Sequence, residues 1–158
     1  MTHAVLRLKV NGRRVELEDV PDAERLLDTL RWRLHLKGTK EGCRSGACGA
    51  CTILVDERTT LACLALTHEL DGTAILTVEG ISRDPVGRVV QDAFVSEGAV
   101  QCGYCTPGFV MALTGRLKEP RAGEDDAPVL RDLEGNLCRC TGYAAIARAV
   151  RRARSEVG

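Results

Sequence analysis

Eight cysteines in a chain of 158 residues fall into two quartets, Cys43, Cys48, Cys51 and Cys63, then Cys102, Cys105, Cys138 and Cys140. The first has the spacing C-x4-C-x2-C-x11-C. It puts three thiolates on one tight loop and brings the fourth from a later segment, the ligation pattern of a plant-type [2Fe–2S] cluster. The second runs C-x2-C-x32-C-x-C, two close pairs that meet only if the chain between them doubles back. Two sets of four thiolates predict two metal clusters, and clusters in series transfer electrons.

Other uses of cysteine compete with this one. Disulfides belong to secreted domains, and the N-terminus, Met1 to Lys9, has neither a long apolar run behind a basic start nor a small-residue cleavage site. The expectation is therefore no signal peptide and a reducing cytoplasm. Zinc is the stronger rival, because paired C-x2-C units build tetrahedral sites, and the second quartet taken alone fits one. The leading gap of four and the Gly/Ala filling of the first quartet match the iron–sulfur loop instead. His3, His35 and His68 lie outside both groups, which removes mixed His/Cys ligation of the Rieske kind.

Composition narrows the function classes. Lys and Arg number 22 against 22 Asp and Glu, so no net field attracts nucleic acid or a membrane surface. No stretch supplies the ~18 continuous apolar residues of a spanning helix, and 3% aromatic content with a lone Trp32 argues against a base-stacking platform. The C-terminal cations Arg148, Arg151, Arg152 and Arg154 read as complements to the dipole of a final helix.

The elements that must position the thiols divide near residues 79 to 86, predicting one unit over 1–79 and another over 86–158. The first is mainly strands. Val5 to Val10 leads through Asn11-Gly12, a two-residue hairpin signal, to Val15 and Leu17. Pro21-Asp22 opens a helix carrying Leu26, Leu27, Leu30 and Leu34, closed by Gly38. Thr52–Val55, Thr60–Ala62 and Ala74–Val78 complete a small mixed sheet with one helix across it, the β-grasp arrangement of plant-type ferredoxins. The second unit is helical: Val86–Val95 stopped by Gly98, a helix from Thr106-Pro107 to about Leu117 with Thr106 as its cap, Pro128–Leu133, and Ala144–Arg154. These four helices suggest a compact bundle, with Pro120–Asp126 as an exposed loop. The fold class is thus α+β, a β-grasp ferredoxin-like domain followed by a four-helix bundle.

This layout puts each pair of the second quartet just before a helix, where free N–H groups and the positive dipole end favour anionic sulfur. In the first quartet Gly42, Gly46, Ala47, Gly49 and Ala50 leave the backbone free to bend round a cluster and donate N–H bonds to sulfur.

Four stretches then carry a resemblance: Gly38 to Cys43, Cys48-Gly49-Ala50-Cys51-Thr52, Val100 to Gly108, and Gly135 to Tyr143. In this order they resemble the small iron–sulfur subunit of the molybdenum hydroxylases, the xanthine dehydrogenase, aldehyde oxidase and carbon monoxide dehydrogenase family. The resemblance implies an electron-transfer subunit with two [2Fe–2S] clusters, a large partner subunit holding molybdopterin and molybdenum, and a medium partner subunit holding FAD, assembled as a dimer of heterotrimers. It implies that the cluster on Cys102, Cys105, Cys138 and Cys140 lies nearest the molybdopterin, and the one on Cys43, Cys48, Cys51 and Cys63 toward the flavin. It gives Gln101 an amide contact to the pterin and Cys140 a sulfur contact to a pterin amino group. Many members have an acidic residue at Arg44 and a glycine in the turn written here as Asp56-Glu57-Arg58; a cation at Arg44 is expected to raise the potential of the first cluster.

No G-x-G-x-x-G, phosphate loop or nucleophile–base motif is present, so no catalytic residue is assigned here and the substrate pocket is expected on a partner chain. A ferredoxin carrier with a zinc-stabilised helical appendage is the rival from another class, and metal content separates the two.

Overall fold

The structure is a computed structural model describing residues 5–119 and 126–157. The loop expected at 120–126 lies, apart from Asp126, outside the described residues. Strand β1 (Leu6–Val10) alternates inward Leu6, Leu8 and Val10 with outward Arg7 and Lys9, the period that buries one face of a strand. It turns through Asn11 (φ 50°) and Gly12 (φ 83°), the left-handed pair a type I′ hairpin requires, into β2 (Arg13–Leu17).

Further on, β3 (Thr52–Val55) and β4 (Arg58–Leu61) form a second hairpin, and β5 (Ala74–Leu76) runs antiparallel to β3 and parallel to β1. The sheet order is β2-β1-β5-β3-β4, the expected mixed β-grasp sheet. It ends earlier than the expected Val78, because the Asn11 side chain takes the Thr77 N–H and donates to the Thr77 hydroxyl.

The helix across this sheet differs from expectation. Arg25 is extended and bridges Leu66, so helix formation begins only at α1 (Leu26–Asp28), not at Pro21. The chain then widens into a π-turn over Thr29–Arg33, with Leu34 N–H donating to the Thr29 carbonyl, and His35 (φ 56°) ends it. The buried Thr29 hydroxyl accounts for this departure in part, since it donates to Glu24 (2.5 Å) and pairs with Thr67 (2.8 Å), fixing the turn to segments outside the helix. Leu26, Leu27 and Leu30 are fully buried against the sheet with Ile53 and Ile75. Full burial of such side chains stabilises by ~1.5–3 kcal/mol each.

Four helices follow: α2 (Pro85–Ser96), α3 (Thr106–Lys118), α4 (Asp126–Asp132) and α5 (Ala144–Val157). Asp84 caps α2 by accepting the Gly87 N–H at 2.9 Å, and Pro85 opens its first turn. Val90, Phe94, Phe109, Leu113, Ile146 and Val150 make the second core, which Leu54 of the sheet joins.

Helix α3 is buried on nearly every side. Its Gly115 faces Thr59 and Leu54, where a Cβ would come within 2.6 Å of the Thr59 methyl. Glycine there lets the helix lie directly on β3 and β4.

Candidate functional site

The x11 spacer of the first quartet is the β3–β4 hairpin. Thr52 pairs with Leu61, and the Ala62 N–H donates to the Cys51 carbonyl, so Cys51 and Cys63 emerge together at the same end of the two strands. Cys43 and Cys48 come from the preceding loop, whose base is closed by the Lys40 N–H donating to Ala50. Cys43 is within hydrogen-bonding reach of Cys48, and Cys51 feels both Cys63 and Cys48. The structure therefore brings all four together.

A Cβ on Gly42 would lie 2.6 Å from the Cys48 sulfur, which explains the absence of a side chain there. Arg44 ties the loop down. Its guanidinium donates to both Asp28 oxygens (3.0 and 2.5 Å) and pairs with Glu41 at 3.2 Å, while Arg25 holds its carbonyl at 2.8 Å.

Charge stabilisation is graded across this quartet. The Ser45 side chain and N–H, the Cys48 thiol and the Ala47 N–H bring exposed Cys43 down to about 6, with the Ser45 and Ala47 nitrogens 3.4 and 3.3 Å from its sulfur. Burial pushes Cys51 up to about 12. A buried thiol of this kind becomes an anion only when a metal takes the proton's place.

The second quartet is assembled from two connections, before α3 and before α5. Cys102 and Cys105 precede α3, with Cys105 itself at the N-cap, its carbonyl accepting from the Phe109 N–H. The cap is thus one residue earlier than Thr106, which occupies the first turn, and Cys105 makes no side-chain cap bond. Cys138 and Cys140 lie in the turn before α5, but the helix starts only at Ala144, beyond the left-handed Gly142 and Tyr143. Donors to Cys138 come instead from Thr141, whose hydroxyl and N–H are 3.1 and 3.5 Å from the sulfur.

Burial pushes Cys138 up, yet the Thr141 bonds outweigh it and bring the thiol down to about 7. Burial holds Cys105 up at about 12. The exposed sulfurs of Cys140 and Cys102 are 3.5 Å apart, and both Cys102 and Cys105 interact with Cys138.

These observations test whether [2Fe–2S] clusters suit the residues present, and they do. Each quartet converges, each has sulfur-directed N–H or O–H donors, and the first has a glycine cradle that a side chain would fill. No group of three or more His, Cys, Asp or Glu among the described residues is placed to hold a single metal ion; a two-iron cluster spreads its four thiolates wider than one zinc ion does.

The two loops touch directly. The Leu137 N–H donates to the Cys48 carbonyl at 2.9 Å, the Asn136 amide to the Gly49 carbonyl at 3.0 Å, and the Tyr104 hydroxyl to the Glu41 carbonyl at 2.5 Å. Tyr143 accepts the Cys138 N–H at 2.9 Å. Sequence reasoning assigned no role to Ser45, Tyr104, Asn136, Thr141 or Tyr143. The hydroxyl residues beside cysteines are a local signal for Ser45 and Thr141, but nothing local marks Asn136, whose partner is 87 residues away. Gln101 is exposed beside Cys102, whose sulfur is 3.5 Å from that of exposed Cys140.

Comparison with known proteins matches both halves. Residues 8–75 fit the family described as 2Fe-2S iron-sulfur cluster binding domain, and residues 77–151 the [2Fe-2S] binding domain. The chain is 44% identical over 151 residues to the nicotine 6-hydroxylase small subunit of Paenarthrobacter nicotinovorans, covering 96% of this chain and 90% of that one. It is 40% identical over 154 residues to the nicotinate dehydrogenase small FeS subunit of Eubacterium barkeri, covering 97% and 96%.

Among solved structures, quinoline 2-oxidoreductase from Pseudomonas putida 86 superposes with a TM-score of 0.85 at 35% identity, over 99% of this chain and 97% of that chain. Aldehyde oxidoreductase from Desulfovibrio gigas superposes at 0.87 and 34%, over 98% of this chain and 17% of the longer one. On four motifs, two matched domains and the shared fold, the chain belongs to the small [2Fe–2S] iron–sulfur subunits of the molybdenum hydroxylase family.

Proposed function

We propose that this chain is the electron-transfer subunit of a molybdenum-containing dehydrogenase or hydroxylase, with one cluster on Cys43, Cys48, Cys51 and Cys63 of the unit spanning 1–79. The second is on Cys102, Cys105, Cys138 and Cys140 of the unit spanning 86–158. The observation that carries this is the direct bonding of two convergent thiol quartets through the Cys48–Leu137 and Gly49–Asn136 hydrogen bonds. When bound, each [2Fe–2S] cluster takes up and gives back one electron.

The chain's own residues set the conditions for that exchange. Ser45, Ala47 and Thr141 donate to ligand sulfurs and favour the extra negative charge of reduction. Burial of Cys51 and Cys63 keeps water from the inner side of the first site. The Cys48 carbonyl and Leu137 N–H join the two loops by one hydrogen bond, with Leu137 next in sequence to Cys138.

The exposed surface of the second quartet supports a docking assignment. Val100, Tyr104 and Leu137 are 43%, 48% and 53% exposed around Cys102 and Cys140, an apolar rim of the kind that closes against another subunit. A large subunit holding the molybdopterin sits there, with the Gln101 amide and the Cys140 sulfur as its contacts. A medium FAD subunit meets the side of the first quartet, and the complex is a dimer of heterotrimers in the cytoplasm. No described helix is long and apolar enough to cross a membrane. Substrate chemistry takes place on the large subunit, and this chain supplies no catalytic residue.

Metal and subunit analysis of the purified protein tests this. The expected result is about four iron and four sulfide per chain, two distinguishable paramagnetic signals on reduction, and co-purification with two larger subunits. Stoichiometric zinc with only one paramagnetic centre would overturn it.

A further inference from the structure

The Gly49 carbonyl lies between the two quartets and is over-supplied with donors. It accepts from the Thr52 N–H at 3.1 Å, the Thr52 hydroxyl at 2.7 Å and the Asn136 amide at 3.0 Å, three donors on an oxygen with two lone pairs. The same oxygen would be only 2.4 Å from a Cβ on Gly108 in α3. Asn136 is 6% exposed, so its amide is committed to this bond in a low-dielectric setting where a lost partner is costly.

We infer that Asn136, two residues from a ligand of the second cluster, is a positioning residue for the first cluster, acting by fixing the Gly49–Ala50 peptide plane. This rests on the two-cluster reading above. In a trans peptide the carbonyl and the following N–H point in opposite directions, and no described peptide is cis. With the Gly49 carbonyl held toward Thr52 and Asn136, the Ala50 N–H is directed to the other side of the loop. Ala50 and the Cys48 sulfur both flank the site of a Cβ on Gly42, at 3.5 and 2.6 Å, so this peptide belongs to the wall of the first quartet.

Gly49 has φ +68°, a region glycine enters and leaves without side-chain strain, so the orientation of its peptide is set by the bonds to its carbonyl. Loss of the Asn136 bond leaves the Gly49 carbonyl to the two Thr52 donors on one side, so the peptide tilts toward Thr52. The altered N–H donation at the first cluster lowers its potential, since hydrogen bonds to sulfur favour the reduced state.

The test is a redox titration of the assembled complex, followed by paramagnetic resonance, for wild type, Asn136→Ala and Thr52→Val, with Cys43→Ser used to assign the first-cluster signal. Asn136→Ala is expected to shift the reduced-to-oxidised ratio of the first cluster toward oxidised by roughly three- to tenfold at fixed potential, tenfold being about 59 mV for one electron. The second cluster should move less. Thr52→Val, which removes only the hydroxyl donor, should shift the first cluster the same way by a smaller factor.

A first-cluster signal and potential unchanged in Asn136→Ala, or a change confined to the second cluster, overturns the inference. If Asn136→Ala does not assemble, Thr52→Val decides: no shift overturns the inference, and the expected shift supports it. Wild-type complex lacking two paramagnetic centres would instead refute the two-cluster reading, so the two failures are distinct.

Discussion

In the sheet half, Cys51 and Cys63 are 3% and 1% exposed and a hairpin fixes them side by side. In the helical half, Cys102 and Cys140 are exposed and sit on connecting turns. The first site therefore has two thiols inside the chain's own core and opens to solvent at Cys43, while the second exposes two thiols among the outward Val100, Tyr104 and Leu137. An electron carrier gains from this asymmetry: each site keeps one open side for exchange, and the first is the more shielded of the two.

The largest effects that would break this comparison come from removing ligands. Cys51→Ser is expected to remove about two irons per chain and also to destabilise the fold, because it places a hydroxyl in an apolar core at a cost of ~1–3 kcal/mol. Cys102→Ser should lose the same iron with little change in the unfolding transition of the rest. Iron content and thermal melts of both variants read this, and equal melts would refute the distinction. In the same sense, a chelator acting on the isolated iron-loaded chain should strip the second site at least several-fold faster than the first, and the assembled complex should lose that difference.

Next in size is a change in the helical half whose damage should appear in the sheet half. Gly108→Ala drives a Cβ to 2.4 Å from the Gly49 carbonyl and 3.0 Å from the Ala50 Cα, overpacking that costs ~1–3 kcal/mol. The first-cluster signal should broaden or vanish. Gly98→Ala is the matched control, since Gly98 (φ +60°) has no atom near its missing Cβ. It should lower the melting temperature through backbone strain alone and leave both signals intact.

What was legible in the sequence was whatever depended on neighbours. The Asn11-Gly12 hairpin, the glycines of the first cysteine loop and the four helices each follow from local residue chemistry, and all are present. What was not legible depended on contacts across the chain. The helix expected from Pro21 is cut short by a bridge from Arg25 to Leu66, and its π-turn is tied to Thr67. Thr106 is a good capping residue by type, yet Cys105 takes the cap because its carbonyl already accepts the helical Phe109 N–H. The Asn136–Gly49 bond has no sequence signature at all, since either residue alone reads as an ordinary turn former.

Arg44 shows how the structure changes a sequence argument. As an isolated cation it would raise the first cluster's potential, but its charge is shared with Asp28 and Glu41. Arg44→Asp gathers three carboxylates and should lower the first-cluster potential, with Asp28→Asn moving it upward and the second cluster unaffected by either. Each shift is expected at roughly a threefold change in the reduction equilibrium, about 30 mV. Redox titration in which Arg44→Asp produces no downward shift would end this account of the loop.

The smallest effect separates the hairpin tip from both sites. Asp56 (φ 45°) and Glu57 (φ 68°) turn β3 into β4 in left-handed conformations without a glycine, which costs ~1–2 kcal/mol per non-glycine residue. Asp56 earns its place by accepting the Ala74 N–H at 2.8 Å. Glu57, itself exposed, offers a carboxylate to the half-buried Lys118, which also pairs with Asp84, and a surface pair of this kind contributes ~0–1 kcal/mol. Glu57→Gly should therefore stabilise by ~0.5–1 kcal/mol, a rise of about 1–4 °C for a chain of this size, with both cluster signals unchanged. A fall in melting temperature would mean that the Lys118 link between hairpin and α3 outweighs the backbone strain, and that the two halves are held together at this edge as well as at Asn136.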